Sequence, residues 1–276
     1  MENCMKRFSL ENRIIIITGA AGLLGRMHTR AVLDADGIPV MLDIDANKLE
    51  EAAKEICKDY KEKLILSYAI SITDKKQIEQ VLSDIVKKYG RLDGLINNAC
   101  NNPTMKDSSL GQGRFESFNY KEWLEDVDVG LYGAMCCSQI FGGYMAEHGG
   151  GIILNIVSDL GIIAPNQNLY HIDCEMEKQQ PKKPVTYSVI KWGLIGLTKY
   201  LSTYWAKEKV RANAIAFGGV YNNQSDIFLS RIAELIPMGR MAVRDEYMGS
   251  IVYMLSDASS YMTGSVVTVD GGRTAW

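Results

Sequence analysis

The stretch that most constrains the fold of this chain runs from Arg13 to Gly25, where four isoleucines precede a glycine-rich turn. An apolar, β-branched run without polar alternation predicts a strand that is buried on both faces, as in a parallel sheet. Three glycines then follow at a spacing of three, and a helix-compatible run begins at Arg26. A hairpin or an ordinary strand-to-helix turn would also fit the glycines alone. Strand, turn and helix together predict a dinucleotide-binding turn with free N–H groups facing a pyrophosphate, lined by Gly19, Gly22, Leu23, Leu24 and Gly25.

Length and composition favour one large globular domain over residues 1–276, because 47% of the residues are hydrophobic and 23% are charged. A formal net charge of −3 gives no general attraction to nucleic acid or to an anionic membrane. No apolar run approaches the ~20 residues that span a bilayer, and the first ten residues lack the apolar core of a signal peptide. We therefore expect a cytoplasmic location, with neither nucleic acid nor membrane as partner.

The cysteines do not indicate a metal site. None of the six falls in a CxxC pair, and the three histidines form no ligand spacing with them. We therefore expect no bound metal, and six free thiols fit a reducing compartment.

Strand and helix patterns alternate along the chain with short connections, which predicts an α/β fold with a doubly wound, seven-stranded parallel sheet and helices on both faces. Two longer irregular segments, at about 101–119 and 164–184, interrupt this order and are expected to be functional inserts or disordered. Strands are predicted at 14–17, 39–43, 63–69, 92–98, 152–157, 210–216 and 265–269, and helices at 26–35, 47–58, 73–89, 120–144, 185–207, 226–235 and 246–255.

The second predicted strand ends at Asp43, which lies 24 residues after Gly19. A carboxylate there accepts hydrogen bonds from both ribose hydroxyls of NAD and repels the 2′-phosphate of NADP. The next residues, Ile44 and Asp45, bring no positive charge that would reverse this preference. Asp43 could instead cap the following helix, but Asp45 is better placed to do so. The sequence therefore predicts NAD rather than NADP, with Asp43 and Ile44 at the ribose.

Tyr187 and Lys191 stand four residues apart on a predicted helix, so both lie on one face. A nearby cation favours phenolate and lowers the pKa of a tyrosine, which lets it exchange protons near neutral pH. Such a pair alone is weak, since most matches are solvated helix faces. Ser158 strengthens it, because this residue ends the fifth predicted strand, at the edge where ligands bind in such sheets.

With these residues in place, the sequence resembles the short-chain dehydrogenase/reductase family over nearly its whole length. The resemblance implies a Rossmann-type domain, hydride exchange between a nicotinamide and a carbonyl or alcohol carbon of a small-molecule substrate, and a homo-oligomer, either dimer or tetramer. The matching motifs are Thr18-Gly19 with Gly25, Asn97-Asn98-Ala99, Ser158 before Gly161, Tyr187 with Lys191, Arg211-Ala212-Asn213-Ala214-Ile215, and Gly264 with Val269-Asp270-Gly271-Gly272.

The same resemblance implies roles for individual residues. Tyr187 would be the general acid/base, and Ser158 would hold the substrate oxygen. Lys191 would bind the nicotinamide ribose and lower the pKa of Tyr187. Cofactor contacts are implied at Ser71, Ile72, Asn98, Ala99, Gly218 and Val220.

Three positions depart from the family pattern. Leu23 occupies the middle glycine position of the common turn, and Cys100 replaces the glycine that follows Ala99. Gly130 stands where an asparagine usually helps to hold a proton-relay water. Glycine has no side chain to hold this water, so we expect slower turnover, although it leaves room for an additional water.

One branch of the family is similar in several features, namely the flagellin-modification oxidoreductases linked to legionaminic-acid-type sugar biosynthesis. The shared features are the Gly22-to-Gly25 turn, the long insert before Tyr187 and the loop 218–224. They suggest a sugar or sugar-nucleotide substrate, although the amides of that loop could merely satisfy loop backbone. Two alternatives stay open: a 3-oxoacyl thioester reductase, and a dinucleotide-binding protein weakened in catalysis.

Overall fold

Seven parallel strands form one sheet in the computed structural model, which describes residues 3–101, 111–173 and 175–276. The strands are β1 Ile14–Thr18, β2 Ile38–Asp43, β3 Leu66–Ala69, β4 Gly94–Asn97, β5 Gly151–Ser158, β6 Val210–Phe217 and β7 Val266–Val269. Their spatial order is β3-β2-β1-β4-β5-β6-β7. This confirms the predicted doubly wound sheet. Because the winding reverses between β1 and β4, a crevice opens at the carboxyl ends of these two strands.

The helices cover both faces of the sheet. They are α1 Leu23–Asp34, α2 Ala46–Asp59, α3 Lys75–Tyr89, α4 Tyr120–Val127, α5 Gly133–Cys137, α6 Gly143–Glu147, α7 Val185–Tyr204, α8 Asp226–Ala233 and α9 Met248–Leu255. Two π-helical turns, Asp128–Tyr132 and Ser138–Gly142, join α4, α5 and α6 into one widened helix. None of the helices described here is long and apolar enough to cross a membrane.

Several predicted boundaries are wrong by about three residues, and two of these differences have a clear reason. The first helix begins at Leu23 rather than at residue 26, because Gly22 already acts as its N-cap within the glycine turn. The third strand begins at Leu66 rather than at residue 63, and its burial alternates. It lies at the edge of the sheet, where one partner strand is enough.

The isoleucines of β1 supply both hydrophobic cores. Ile15 and Ile17 pack on the side of α1, α2 and α9, and Ile14 and Ile16 pack on the side of α3, α5 and α7. Successive side chains of a strand point to opposite faces, so an all-apolar run is what a strand between two helical layers requires. The strand β1, from which the fold was predicted, therefore contributes side chains to the cores on both faces of the sheet.

The two inserts pack against each other where both are described. The N–H of Gly111 donates to Gln179 O at 2.7 Å, and the N–H of Lys182 donates to Gln112 O at 2.9 Å. The second insert is held from within by the buried Gln180 amide, which bonds the backbone of Ile172 in both directions. Residues 102–110 of the first insert lie outside the described residues.

Candidate active site

The carboxyl ends of the strands border a cleft of about 1430 Å³. It runs from the glycine turn to the insert 164–184, which forms its far wall. Every residue predicted to bind cofactor or to take part in catalysis lines this cleft, whichever part of the chain it comes from. These residues are Gly19, Gly22, Leu23, Leu24, Gly25, Asp43, Ile44, Ser71, Ile72, Asn98, Ala99, Ser158, Tyr187, Lys191, Gly218 and Val220.

The glycine turn leaves no space for side chains at two positions. Gly19 has a φ of +63°, and a Cβ there would lie 2.8 Å from the Cα of Ala99. A Cβ on Gly25 would lie 2.3 Å from Gly19 O. No side chain caps α1, so the N–H groups of its first turn have no intrahelical acceptor and are available to an anion. The turn therefore fits a dinucleotide pyrophosphate, with Leu23 in place of the usual glycine.

The Asp43 carboxylate is fixed at the cleft edge by backbone donors. Its Oδ2 accepts from the N–H of Ala21 at 3.0 Å, and its Oδ1 accepts from the N–H of Asp45 at 3.1 Å. Each oxygen keeps a lone pair for a ribose hydroxyl. Asp45 caps α2, as expected. A cation not predicted from sequence, Lys48, also lines the cleft and pairs with Asp45 at 3.1 Å.

Asn98 holds the ends of β1 and β4 together. Its side-chain amide donates to Thr18 O at 2.9 Å and to Gly19 O at 3.1 Å. The N–H groups of Asn98 and Ala99 both donate to the Thr18 hydroxyl. The Asn98 amide thus shapes the cleft floor at the point where the winding reverses.

Ser158, Tyr187 and Lys191 meet where β5 ends against α7. Lys191 is 4% exposed, and its Nζ donates to Ile156 O at 2.9 Å. The same Nζ lies 5.6 Å from the ring centroid of Tyr187. The Tyr187 and Ser158 side chains interact with each other. The four-residue spacing and the strand-end serine therefore do converge in space.

The pKa of Tyr187 moves in the direction opposite to our expectation. Burial raises the pKa of Tyr187, so the phenol is held neutral. The cation nearest to the Tyr187 ring is Lys183 rather than Lys191, with its Nζ 4.0 Å from the ring centroid. Burial lowers the pKa of Lys183 to about 8. No sequence pattern pointed to Lys183, because it lies in an irregular insert whose path the sequence does not fix.

A buried ion pair adjoins Ser158. The Ser158 hydroxyl donates to Asp159 Oδ1 at 2.7 Å, and Arg273 Nη1 lies 3.1 Å from Asp159 Oδ2. The only sequence signal was an acidic residue directly after a buried strand, and nothing in the sequence linked it to Arg273 near the C-terminus.

The space beside Gly130 is filled, so the expectation of room for a water is wrong. Gly130 is buried in the first π turn. A Cβ there would lie 2.7 Å from Cγ2 of Ile190, the residue before Lys191. Glycine at this position therefore lets α7 approach closely.

The amides of loop 218–224 divide between two roles. Gln224 satisfies loop backbone, because it bonds the N–H of Asn222 at 2.7 Å and the carbonyl of Val220 at 3.0 Å. Oδ1 of the Asn222 side chain accepts from Arg244 Nη2 at 3.0 Å. Asn223 lines the cleft, and its side chain has no partner within the described ranges. Of the amides considered, Asn223 is thus the one left for a ligand.

The chain matches the family model described as short chain dehydrogenase over residues 13–171, and the model described as enoyl-(acyl carrier protein) reductase over residues 174–274. It is 30% identical to post-translational flagellin modification protein A of Campylobacter coli, over 95% of this chain and 98% of the relative. It is also 30% identical to the 3-oxoacyl-(acyl-carrier-protein) reductase FabG of Thermotoga maritima, again over 95% and 98%. The crystal structure of gox2181 superposes with a TM-score of 0.86 at 25% identity, covering 99% of this chain and 100% of that one. Further relatives include enzymes named as NADH-dependent and as NADP-dependent.

Proposed function

Because the chain belongs to the short-chain dehydrogenase/reductase family of NAD(P)-dependent oxidoreductases, we propose that it transfers a hydride between NAD(H) and a carbonyl or alcohol carbon of a sugar-type substrate. The observation that supports this most strongly is the convergence of Ser158, Tyr187 and Lys191 in the same cleft as the glycine turn.

Tyr187 and Lys191 have separate roles in the proposed reaction, namely proton transfer and cofactor binding. The bound nicotinamide would supply or accept the hydride, as it does throughout this chemistry. In the direction of reduction, Tyr187 O–H gives its proton to the substrate oxygen, and in oxidation the Tyr187 oxygen takes it back. Burial of Tyr187 favours the neutral, proton-donating form. One N–H of the Lys191 ammonium donates to Ile156 O, and the other two can donate to the nicotinamide ribose.

The proposed preference for NAD depends on Asp43. Its carboxylate is held at the cleft edge by the N–H groups of Ala21 and Asp45, and a second carboxylate, Asp45, lies beside it. Lys48 is the nearby cation that could favour a 2′-phosphate, but it pairs with Asp45. The balance of charge supports NAD, with NADP as the competing choice.

A polar substrate fits the far wall of the cleft. This part carries the polar side chains of Asn223, His171, Lys183 and Arg231 beside apolar ones such as Leu169, Phe228 and Met241. The insert that carries His171 and Lys183 is held to α8 by a hydrogen bond from Arg231 to His171 O. An acyl-thioester would use the apolar part of this wall but would leave the four polar groups without partners. The likeness to a flagellin modification protein supports a sugar-type substrate, and the likeness to FabG makes the thioester the second candidate.

A substrate panel decides between the two candidates. Purified protein is mixed with NADH or NADPH and with ketoses, sugar nucleotides or a 3-oxoacyl thioester, and cofactor oxidation is followed. We expect turnover with a sugar-type ketone and NADH. Turnover with the thioester and NADPH alone would contradict both the proposed substrate class and the proposed cofactor. A cytoplasmic location stays a prediction from the sequence, based on the absence of a signal-peptide core and of a membrane-spanning run and consistent with six free thiols.

A further inference from the structure

A buried charged pair stands behind the catalytic serine, one step away from the substrate oxygen. Asp159 is 3% exposed and Arg273 is 6% exposed. Asp159 Oδ1 accepts from the Ser158 hydroxyl at 2.7 Å and from the N–H of Leu160 at 2.8 Å. The same N–H also donates to Ser158 Oγ at 3.2 Å, which leaves Ser158 one lone pair. Since an ionised carboxylate has no hydrogen to give, the proton in the Ser158–Asp159 bond belongs to the serine.

The other carboxylate oxygen depends on Arg273. Asp159 Oδ2 receives no hydrogen bond from the part of the chain that the structure describes, and Arg273 Nη1 faces it at 3.1 Å. A buried carboxylate without a counter-charge is costly and tends to take up a proton. Arg273 therefore supplies the counter-charge of Asp159, and the carboxylate of this pair accepts from Ser158.

The backbone conformation of the loop 270–274 fixes where the Arg273 side chain lies. Gly271 and Gly272 have φ values of +66° and +89°. The Asp270 carboxylate accepts from the N–H groups of Gly272 and Thr274 on either side of Arg273. A loop with two left-handed residues and two side-chain-to-backbone bonds places one long side chain reproducibly.

We propose that Arg273 is a positioning residue for hydride transfer: acting through Asp159, it turns the Ser158 hydrogen away from the substrate and presents the Ser158 lone pair to it. This inference rests on the proposed function. Ser158 is then a hydrogen-bond acceptor, suited to a substrate hydroxyl, and Tyr187 is the group that supplies a proton to a carbonyl oxygen.

Few charges compete with Arg273 for this task. Among the described residues, the titratable groups that interact with Asp159 include Arg273, Lys183, Tyr170, Tyr187 and Tyr247, and Lys191 lies in the same part of the cleft. Burial raises the pKa of each of these tyrosines, so they stay neutral near pH 7. Lys183 loses its charge at a pKa of about 8. Arg273 is the member of this group that forms an ion pair with Asp159.

The kinetic test compares Arg273→Met with Arg273→Lys. In Arg273→Met we expect kcat to fall roughly ten- to hundredfold, as for a misplaced catalytic group, and a new ionisation to appear in the kcat–pH profile as Asp159 takes up a proton. Arg273→Lys should restore most of kcat and remove the new ionisation. Arg240→Met is the matched control, because Arg240 pairs with Glu246 on the surface and does not line the cleft. An Arg273→Met enzyme with an unchanged pH profile would overturn the proposal.

The second test does not depend on turnover. It measures how the Asp159–Arg273 pair affects stability, by thermal unfolding at a series of pH values. In Arg273→Met the pKa of Asp159 in the folded protein should rise above its unfolded value, so stability relative to wild type should fall as pH rises between the two values. Adding Asp159→Asn should abolish that slope. The same slope in the double variant would overturn the pairing, even in an active enzyme. If wild type were inactive on every substrate, the proposed function and the positioning role of Arg273 would both be overturned. The pH dependence of stability would still show whether Asp159 and Arg273 form a pair.

Discussion

At the scale of the residue, burial and nearby charge set the chemistry of this site more than residue identity does. The spacing of Tyr187 and Lys191 predicted a phenol with a lowered pKa. The folded chain buries the Tyr187 hydroxyl, raises its pKa and brings a second cation, Lys183, to its ring. A sequence shows which groups share a helix face, but desolvation depends on residues that arrive from other segments.

Lys183 should tune the proton acceptor. Below its pKa of about 8, the charged ammonium over the Tyr187 ring favours phenolate. In Lys183→Met the pKa of Tyr187 should rise further, so alcohol oxidation at neutral pH should fall roughly tenfold, as for one pKa unit, and an ionisation near pH 8 should vanish from the kcat/KM profile. Lys182→Met is the control, because Lys182 pairs with Glu177 and does not line the cleft. An unchanged profile in Lys183→Met would exclude this role.

Asp43 should decide between the two dinucleotides. Asp43→Asn keeps an oxygen for the N–H of Ala21 and removes the charge. A hydrogen bond to a charged group contributes about 1.5–3 kcal/mol, so the ratio of kcat/KM for NADH to that for NADPH should drop roughly tenfold or more. Asp45→Asn is the matched variant, since it retains the cap of α2 and should change the ratio less. Equal ratios in wild type and Asp43→Asn would remove Asp43 from the ribose site.

At the scale of the element, period and turn chemistry predicted nearly all of the fold. The four isoleucines, the glycine turn and the alternation of strand and helix were sufficient for the sheet and for the edge that carries the site. What could not be predicted was long-range pairing in irregular segments. The contacts of Lys182 with Gln112 and of Arg273 with Asp159 join residues that share no periodic pattern.

The π turn at Gly130 should be intolerant of a side chain. Gly130→Ala places a methyl group against the fully buried Ile190. Overpacking of this kind costs about 1–3 kcal/mol, and a shift of Ile190 should also lower kcat by moving Lys191. Gly143→Ala is the control on the same widened helix, because a Cβ there meets nothing within 4 Å, and it should be neutral or stabilising by up to about 1 kcal/mol. Urea unfolding and kcat measure both effects, and a Gly130→Ala protein as stable as wild type would refute the steric role.

At the scale of the whole molecule, α7 presents an apolar stripe to the outside. Trp192, Tyr200 and Tyr204 are each more than half exposed, and Gly196 lies between them at the same four-residue spacing. The rings of Tyr200 and Tyr204 stack with centroids 5.4 Å apart. Contiguous exposed aromatic surface often marks an interaction site, so α7 is where we expect subunits to meet in the homo-oligomer that the family resemblance implies.

A charge in that stripe should weaken the assembly. Trp192→Glu would place a carboxylate in the contact, and we expect light scattering after size exclusion to show a smaller species than wild type at the same concentration. Met5→Glu alters an even more exposed apolar residue elsewhere and should leave the mass unchanged. A wild-type protein that is monomeric at high concentration would contradict the expected homo-oligomer.

The most direct measurement follows deuterium from cofactor to substrate. NADH deuterated at the reactive carbon of the nicotinamide is incubated with the sugar-type ketones, and the alcohol products are examined by mass spectrometry. We predict one deuterium on the former carbonyl carbon, formed at least about a hundredfold more slowly by Tyr187→Phe, since general acid catalysis contributes 10²–10⁴-fold. Product without deuterium, or an equal rate in Tyr187→Phe, would contradict hydride transfer governed by Tyr187.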